Sequence, residues 1–203
     1  GVGNYLIMVA EAYEEGIAPF AAAKAAEGYT IITHPIAAGT SKEQIKAAIK
    51  SYWGTPQSPD FLLLVGDTDK IPAWTGGGNK HADTDLPYAC MDEGDDWYPD
   101  IPIGRFSVTL DSHLQRIIEK TLLVQGGVFE DPEYVKRAAF LATNDSSSGA
   151  EETHDWVIDN YMTPNEYTSY KIYANSGGGT QDIFDAVNTG VNPPRWNSAT
   201  GLA

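Results

Sequence analysis

The sequence predicts an α/β protein: a mostly parallel sheet flanked by helices on both faces. Three observations carry that reading. Short apolar runs of strand length alternate with stretches whose apolar residues recur at helix spacing. The run DFLLLVGD at 60–67 is almost unbroken, as in a central parallel strand covered on both sides. A capping-box pattern from Ser41 to Gln44 marks where one of the intervening helices begins.

The elements follow in order. NYLIMVA (4–10) opens as a short apolar strand, and EEGIAPFAAAKAAEG continues as an alanine-rich helix that ends near Gly28. YTIITHPI (29–36) is β-branched and strand-like. KEQIKAAIKSYWG is the capped helix, and 60–67 the central strand. Residues 74–100 then break the rhythm with a glycine-rich, polar excursion that has room for a hairpin. IPIGRFS (101–107) resumes a strand, and DSHLQRIIEKTLLVQ is a helix with Leu114, Ile117, Ile118, Thr121 and Leu122 along one face. AAFLAT (138–143), the loop NDSSSG and AEETHDWVIDNYM form another strand–loop–helix. YTSYKIYA is a strand and TQDIFDAVNTG a last helix. After Val191 the stretch NPPRWNSATGLA carries neither pattern. Residues 1–191 therefore read as one subdomain and 192–203 as an irregular tail. A doubly wound sheet stopped there leaves a strand edge and a helix face uncovered, so a truncated domain is expected.

Composition narrows the function. The 203 residues carry 28 acids against 13 bases, a net charge of −15, which repels nucleic-acid phosphates and anionic lipid and suits cations. No apolar run approaches the roughly 18–20 residues of a membrane span. A single cysteine excludes an internal disulfide and any multi-cysteine zinc site. The glycines of WTGGGN are not followed by Lys-Ser/Thr, so they do not make a phosphate loop.

The densest chemistry lies at 92–100, where Asp92, Glu93, Asp95, Asp96 and Asp100 crowd into nine residues with Gly94 among them. Calcium takes six to eight hard oxygens from such loops, and a cation relieves the mutual repulsion of the carboxylates. The spacing is not that of an EF-hand, and a solvated acidic loop is the competing reading. Cys90 sits just before these acids, which disfavour a thiolate; it reads as a plain buried or half-buried thiol rather than a nucleophile.

Three segments together resemble the gingipain family of cysteine peptidases, which has a caspase-like α/β fold. They are FLLLVGDTDKIPA (61–73), the acidic loop running into PDIPIGRFSV (99–108), and FLATND…EETHDWV (140–157). The resemblance spans residues 4–191, in the family's order. It implies a bound calcium held by a carbonyl near Glu93, the Asp96 carboxylate, the Tyr98 carbonyl and the Asp100 carboxylate. Asp67 and His154 match further calcium-associated positions. Asp145 matches the acid that supports the catalytic histidine of arginine-specific members, where it is a glutamate; an N-cap or Asx-turn is its alternative reading. Glu151 matches the acid that receives the substrate's cationic side chain, provided the loop before it is shortened, since Gly149 holds the ungapped position. Glu151 and Glu152 also suit a helix N-terminus on electrostatic grounds alone, and His154 equally suits a helix surface beside Trp156.

The family's Gly-His-Gly motif and nucleophilic cysteine follow the last helix and are not found in these residues. The resemblance therefore implies the N-terminal part of a secreted or cell-surface, calcium-stabilised cysteine endopeptidase. It would act on protein or peptide substrates together with a missing C-terminal half, and be inactive by itself. A non-catalytic gingipain-like binding or secretion-associated module is the alternative. A receiver-like or nucleotide-binding domain would need a phosphate loop or a paired-Asp-plus-Lys site, and neither pattern is present.

Overall fold

The structure is a computed structural model that describes residues 1–77, 81–129, 131–143 and 149–179. The chain divides into two compact units between Leu122 and Leu123, where the sequence reading draws a single subdomain over 1–191.

In the first unit, β1 (Gly3–Ala10), β2 (Tyr29–Ile36), β3 (Phe61–Val65) and β6 (Ile103–Phe106) form a four-stranded sheet in the order β2-β1-β3-β6. All three pairings are parallel. The crossover from β1 to β2 runs through α1 (Ala18–Ala26), and the one from β2 to β3 through α2 (Lys42–Tyr52). These steps run in opposite directions across the sheet, so right-handed crossovers put the two helices on opposite faces. Leu6, Met8, Leu62 and Leu64 pack with Ile45 and Ile49 of α2. On the other face, Ile7, Val9, Leu63 and Val65 pack with Phe20 of α1 and with Leu114 and Ile118 of α3 (Asp111–Gly126). That is why the inner strands are apolar from Leu6 to Ala10 and from Phe61 to Val65: side chains alternate between two cores.

The capping box forms as expected. Ser41 Oγ accepts from the Gln44 N–H at 3.2 Å, and Gln44 Oε1 accepts from the Ser41 N–H at 2.9 Å. The excursion after β3 holds a two-residue antiparallel hairpin, β4 (Trp74–Thr75) with β5 (Asp83–Thr84). Strand order reverses between β1 and β3, and ligands of such sheets gather at the carboxyl ends beside that switch point. Residues 66–71 and 107–109 lie at the corresponding ends of β3 and β6.

In the second unit, β7 (Arg137–Ala142) and β8 (Thr168–Tyr173) pair in parallel, with α4 (Gly149–Val157) between them in sequence. The helix predicted through 162 changes to a π turn over Ile158–Met162. The helix expected at 180–190 and the tail at 192–203 lie outside the described residues.

Candidate functional site

The acidic loop is tied at its base and folded on its own carboxylates. The Asp100 N–H donates to the Ala89 carbonyl at 2.9 Å, and Asp100 Oδ2 accepts from the Met91 N–H at 2.7 Å. Within the loop Asp96 accepts twice, at Oδ2 from the Asp92 N–H (3.3 Å) and at Oδ1 from the Tyr98 N–H (3.0 Å). Gly94 turns the chain at φ +87°, a value that suits a residue without Cβ. Glu93 points away to Lys50 of α2, 3.1 Å from its ammonium. Trp97 and Tyr98 stand out in solvent, 65% and 84% exposed. Of the expected calcium positions, Asp96 and Asp100 thus shape one loop, while Glu93 is engaged with a lysine. Among the described residues, no three His, Cys, Asp or Glu side chains are gathered as a metal cage. The donors themselves suit calcium: they are all hard oxygens, carboxylate and carbonyl, and neither aspartate uses all of its lone pairs.

Asp67 is held at the carboxyl end of the sheet. Its Oδ1 accepts from Ser107 Oγ and from the Thr68 N–H, both at 2.8 Å. The Ser107 bond, then the Thr68 N–H and the nearby Arg105 charge, hold its carboxyl below the usual range. Arg105 of β6 organises the surroundings. It forks onto Asp85 at 2.8 and 2.6 Å, and its Nη1 donates to the carbonyls of Gly66 (2.8 Å) and Ile71 (2.9 Å). One guanidinium therefore fixes both ends of the turn that carries Asp67 and, through Asp85, anchors the 74–100 excursion to it. Sequence reasoning passed over Arg105; its signal was an arginine in an otherwise apolar strand of an acidic chain.

Cys90 is 1% exposed and its thiol donates to the Leu86 carbonyl at 3.4 Å. Burial is the main cause that pushes the thiol up, with Asp96 and Asp100 adding to it and Lys46 opposing. The sequence argument named the acids; desolvation outweighs them. Such a thiol is protonated at neutral pH and a poor nucleophile.

In the second unit, Glu151 and His154 stand one turn apart on α4. Glu151 Oε1 and His154 Nδ1 are both buried without a hydrogen-bond partner. The His154 ring packs between Phe140 and Tyr173, with centroids at 5.4 and 6.0 Å. Neighbouring Asp155 accepts from Tyr173 Oη at 2.8 Å and pairs with Lys171 at 2.7 Å. Lys171 and then Tyr173 keep its carboxyl below the usual range. Asp145 lies outside the described residues.

The family model described as Peptidase family C25 matches residues 1–193. The chain belongs to peptidase family C25. Lys-gingipain W83 of Porphyromonas gingivalis is 30% identical over 197 residues, 92% of this C25 chain and 11% of that protein. Gingipain R2 of the same species (strain W83) is 26% identical over 199 residues, covering 94% and 26% respectively. The crystal structure of the Arg-specific cysteine proteinase gingipain R superimposes with a TM-score of 0.76 at 26% identity, over 92% of this chain and 44% of that one. The chain shares the caspase-like α/β fold of these cysteine peptidases. It spans about a quarter or less of the length of the curated relatives it matches.

Proposed function

We propose that this chain is the N-terminal part of a secreted, calcium-stabilised cysteine endopeptidase domain, with the nucleophile and its partner histidine on sequence outside these 203 residues. The observation that carries the reading is the C25 match over residues 1–193, together with the only cysteine being buried and held as a thiol. None of the four histidines, at 34, 81, 113 and 154, is flanked by glycine on both sides. In the complete domain a thiolate would attack the scissile carbonyl, with an imidazole moving the proton and backbone N–H groups holding the oxyanion.

The chain's own share is the sheet, the loop and one wall of the pocket. Glu151 would receive the cationic side chain of an arginine or lysine substrate. Its buried, unpartnered Oε1 supports that role, because an uncompensated carboxylate oxygen away from water is costly until a cation arrives. Asp145 would orient the catalytic imidazole. Asp96 and Asp100 would hold calcium with the carbonyls near Glu93 and Tyr98, and Asp67 and His154 are the further calcium-associated positions. The bound ion would stabilise the loop and take no part in the bond-breaking step. No helix among the described residues is long and apolar enough to cross a membrane.

The test is to express the full-length gene product and this chain side by side on peptides containing Arg or Lys. The full-length protein should cleave them and lose activity to a thiol alkylator, while this chain alone should show no turnover. Cysteine-dependent cleavage by this chain would overturn the proposal. A full-length protein inert on all such peptides would leave the non-catalytic module. Separately, chelator should lower the melting temperature and calcium restore it by ligand linkage; equal curves would remove calcium.

A further inference from the structure

The acidic loop already has a cation of its own. Lys50 comes from α2, 43 positions away in sequence, and its ammonium lies 3.1 Å from Glu93 Oε1 and 3.4 Å from the Asp92 carbonyl. Carboxylate plus backbone carbonyl is the kind of oxygen pair that calcium takes. Lys46 stands one turn earlier on the same helix, and its charge acts on Cys90 against those of Asp96 and Asp100. α2 thus sets one tethered cation, Lys50, directly against a loop of five acids. Lys50 is half-buried, so it is already partly ordered by the helix beneath it.

We propose that Lys50 is a built-in counter-cation that offsets the loop's negative charge in the calcium-free protein, through Glu93 and the Asp92 carbonyl, and lowers the loop's calcium affinity by opposing the ion. The inference rests on the calcium reading of the loop. An ammonium carries one charge and three donors, whereas calcium carries two charges and binds more oxygens, so the two cations compete for the same negatively charged loop. Without calcium, Lys50 limits the repulsion among five carboxylates. With calcium, its charge opposes the ion.

Two variants separate charge from packing. Lys50→Met keeps the aliphatic stem on α2, and Lys50→Arg keeps the charge. Calcium is titrated calorimetrically into the 203-residue chain and into each variant at fixed ionic strength. Lys50→Met should bind calcium roughly three- to tenfold more tightly than wild type, and Lys50→Arg within about twofold of it. In chelator and low salt, Lys50→Met should melt a degree or two below wild type, with the gap closing at about 0.5 M salt. Equal calcium affinity for wild type and Lys50→Met would overturn the inference and leave the calcium reading standing. Binding by Lys50→Met alone would keep the inference and show that the wild-type loop is closed to calcium. Absence of binding in both would end both.

Discussion

The two strand systems of this chain are both parallel and end in different states. In the first unit, β1 and β3 are covered on both faces by helices of that unit, and Leu6, Ile7, Met8 and Val9 are all buried. In the second, the β7–β8 ladder buries only the end of each strand, at Ala142 and Tyr173, and Leu141 remains 46% exposed among the described residues. A two-stranded ladder is marginal by its own pairing, so its order depends on what covers it. Parallel pairing is shared by the two units; how much of each strand is buried among the described residues is what differs. The rigid frame for the loop at 92–100 and the turn at 67–71 therefore comes from the first unit.

The largest expected effect sets the two systems against each other directly. Leu64→Ala removes a fully buried side chain from between β3 and α2 and should cost about 3–4 kcal/mol of unfolding free energy. Leu141→Ala should cost less than about 1 kcal/mol in the same denaturant titration. Comparable losses at both positions would mean that β7 is as fully covered as β3. Next comes the clamp at the sheet's end. Arg105→Met leaves Asp85 and the carbonyls of Gly66 and Ile71 without their donor and should cost roughly 2–4 kcal/mol. It should also speed proteolytic nicking in the 74–100 excursion, while a clamp of no consequence would leave the digestion pattern unchanged.

The smallest effect is the most local. Ser107→Ala removes the main cause of the lowered Asp67 pKa, so that value should move up towards the ordinary aspartate range in a carboxyl NMR titration. A depressed carboxylate pKa contributes stability above the unfolded value and loses it as pH falls through the folded one. The variant's deficit against wild type should therefore be present at neutral pH and close on acidification. A deficit independent of pH would mean that the hydroxyl acts by packing alone.

Much of the frame was legible because local signals agreed with one another. The Ser41–Gln44 box fixed the start of α2, and the unbroken apolar run at 60–67 announced a strand covered twice. The hairpin that the 74–100 excursion had room for is present, though short. The division at Leu122 was not visible, because α3 runs through the boundary as one continuous helix from Asp111 to Gly126. The π turn after Val157 was equally hidden within an uninterrupted helical pattern. Asp67, Glu93, Asp96, Asp100, Glu151 and His154 could be named as candidates from the family resemblance. Their partners could not: Arg105 reaches 34 and 39 positions to Ile71 and Gly66, Ser107 reaches 40 to Asp67, and Lys50 reaches 43 to Glu93.

The sequence by itself determined the α/β class, the family, the acidic character of the 92–100 loop and the unsuitability of Cys90 as a nucleophile. These follow from periodicity, composition and motif order, which are local properties of the chain. Only the tertiary structure decided which cation meets which carboxylate, why the thiol stays protonated, and which polar atoms on α4 are buried without partners. Those outcomes depend on side chains tens of residues apart arriving within hydrogen-bonding distance, or on how much water the finished fold leaves around an atom. Periodicity along the chain carries neither kind of information.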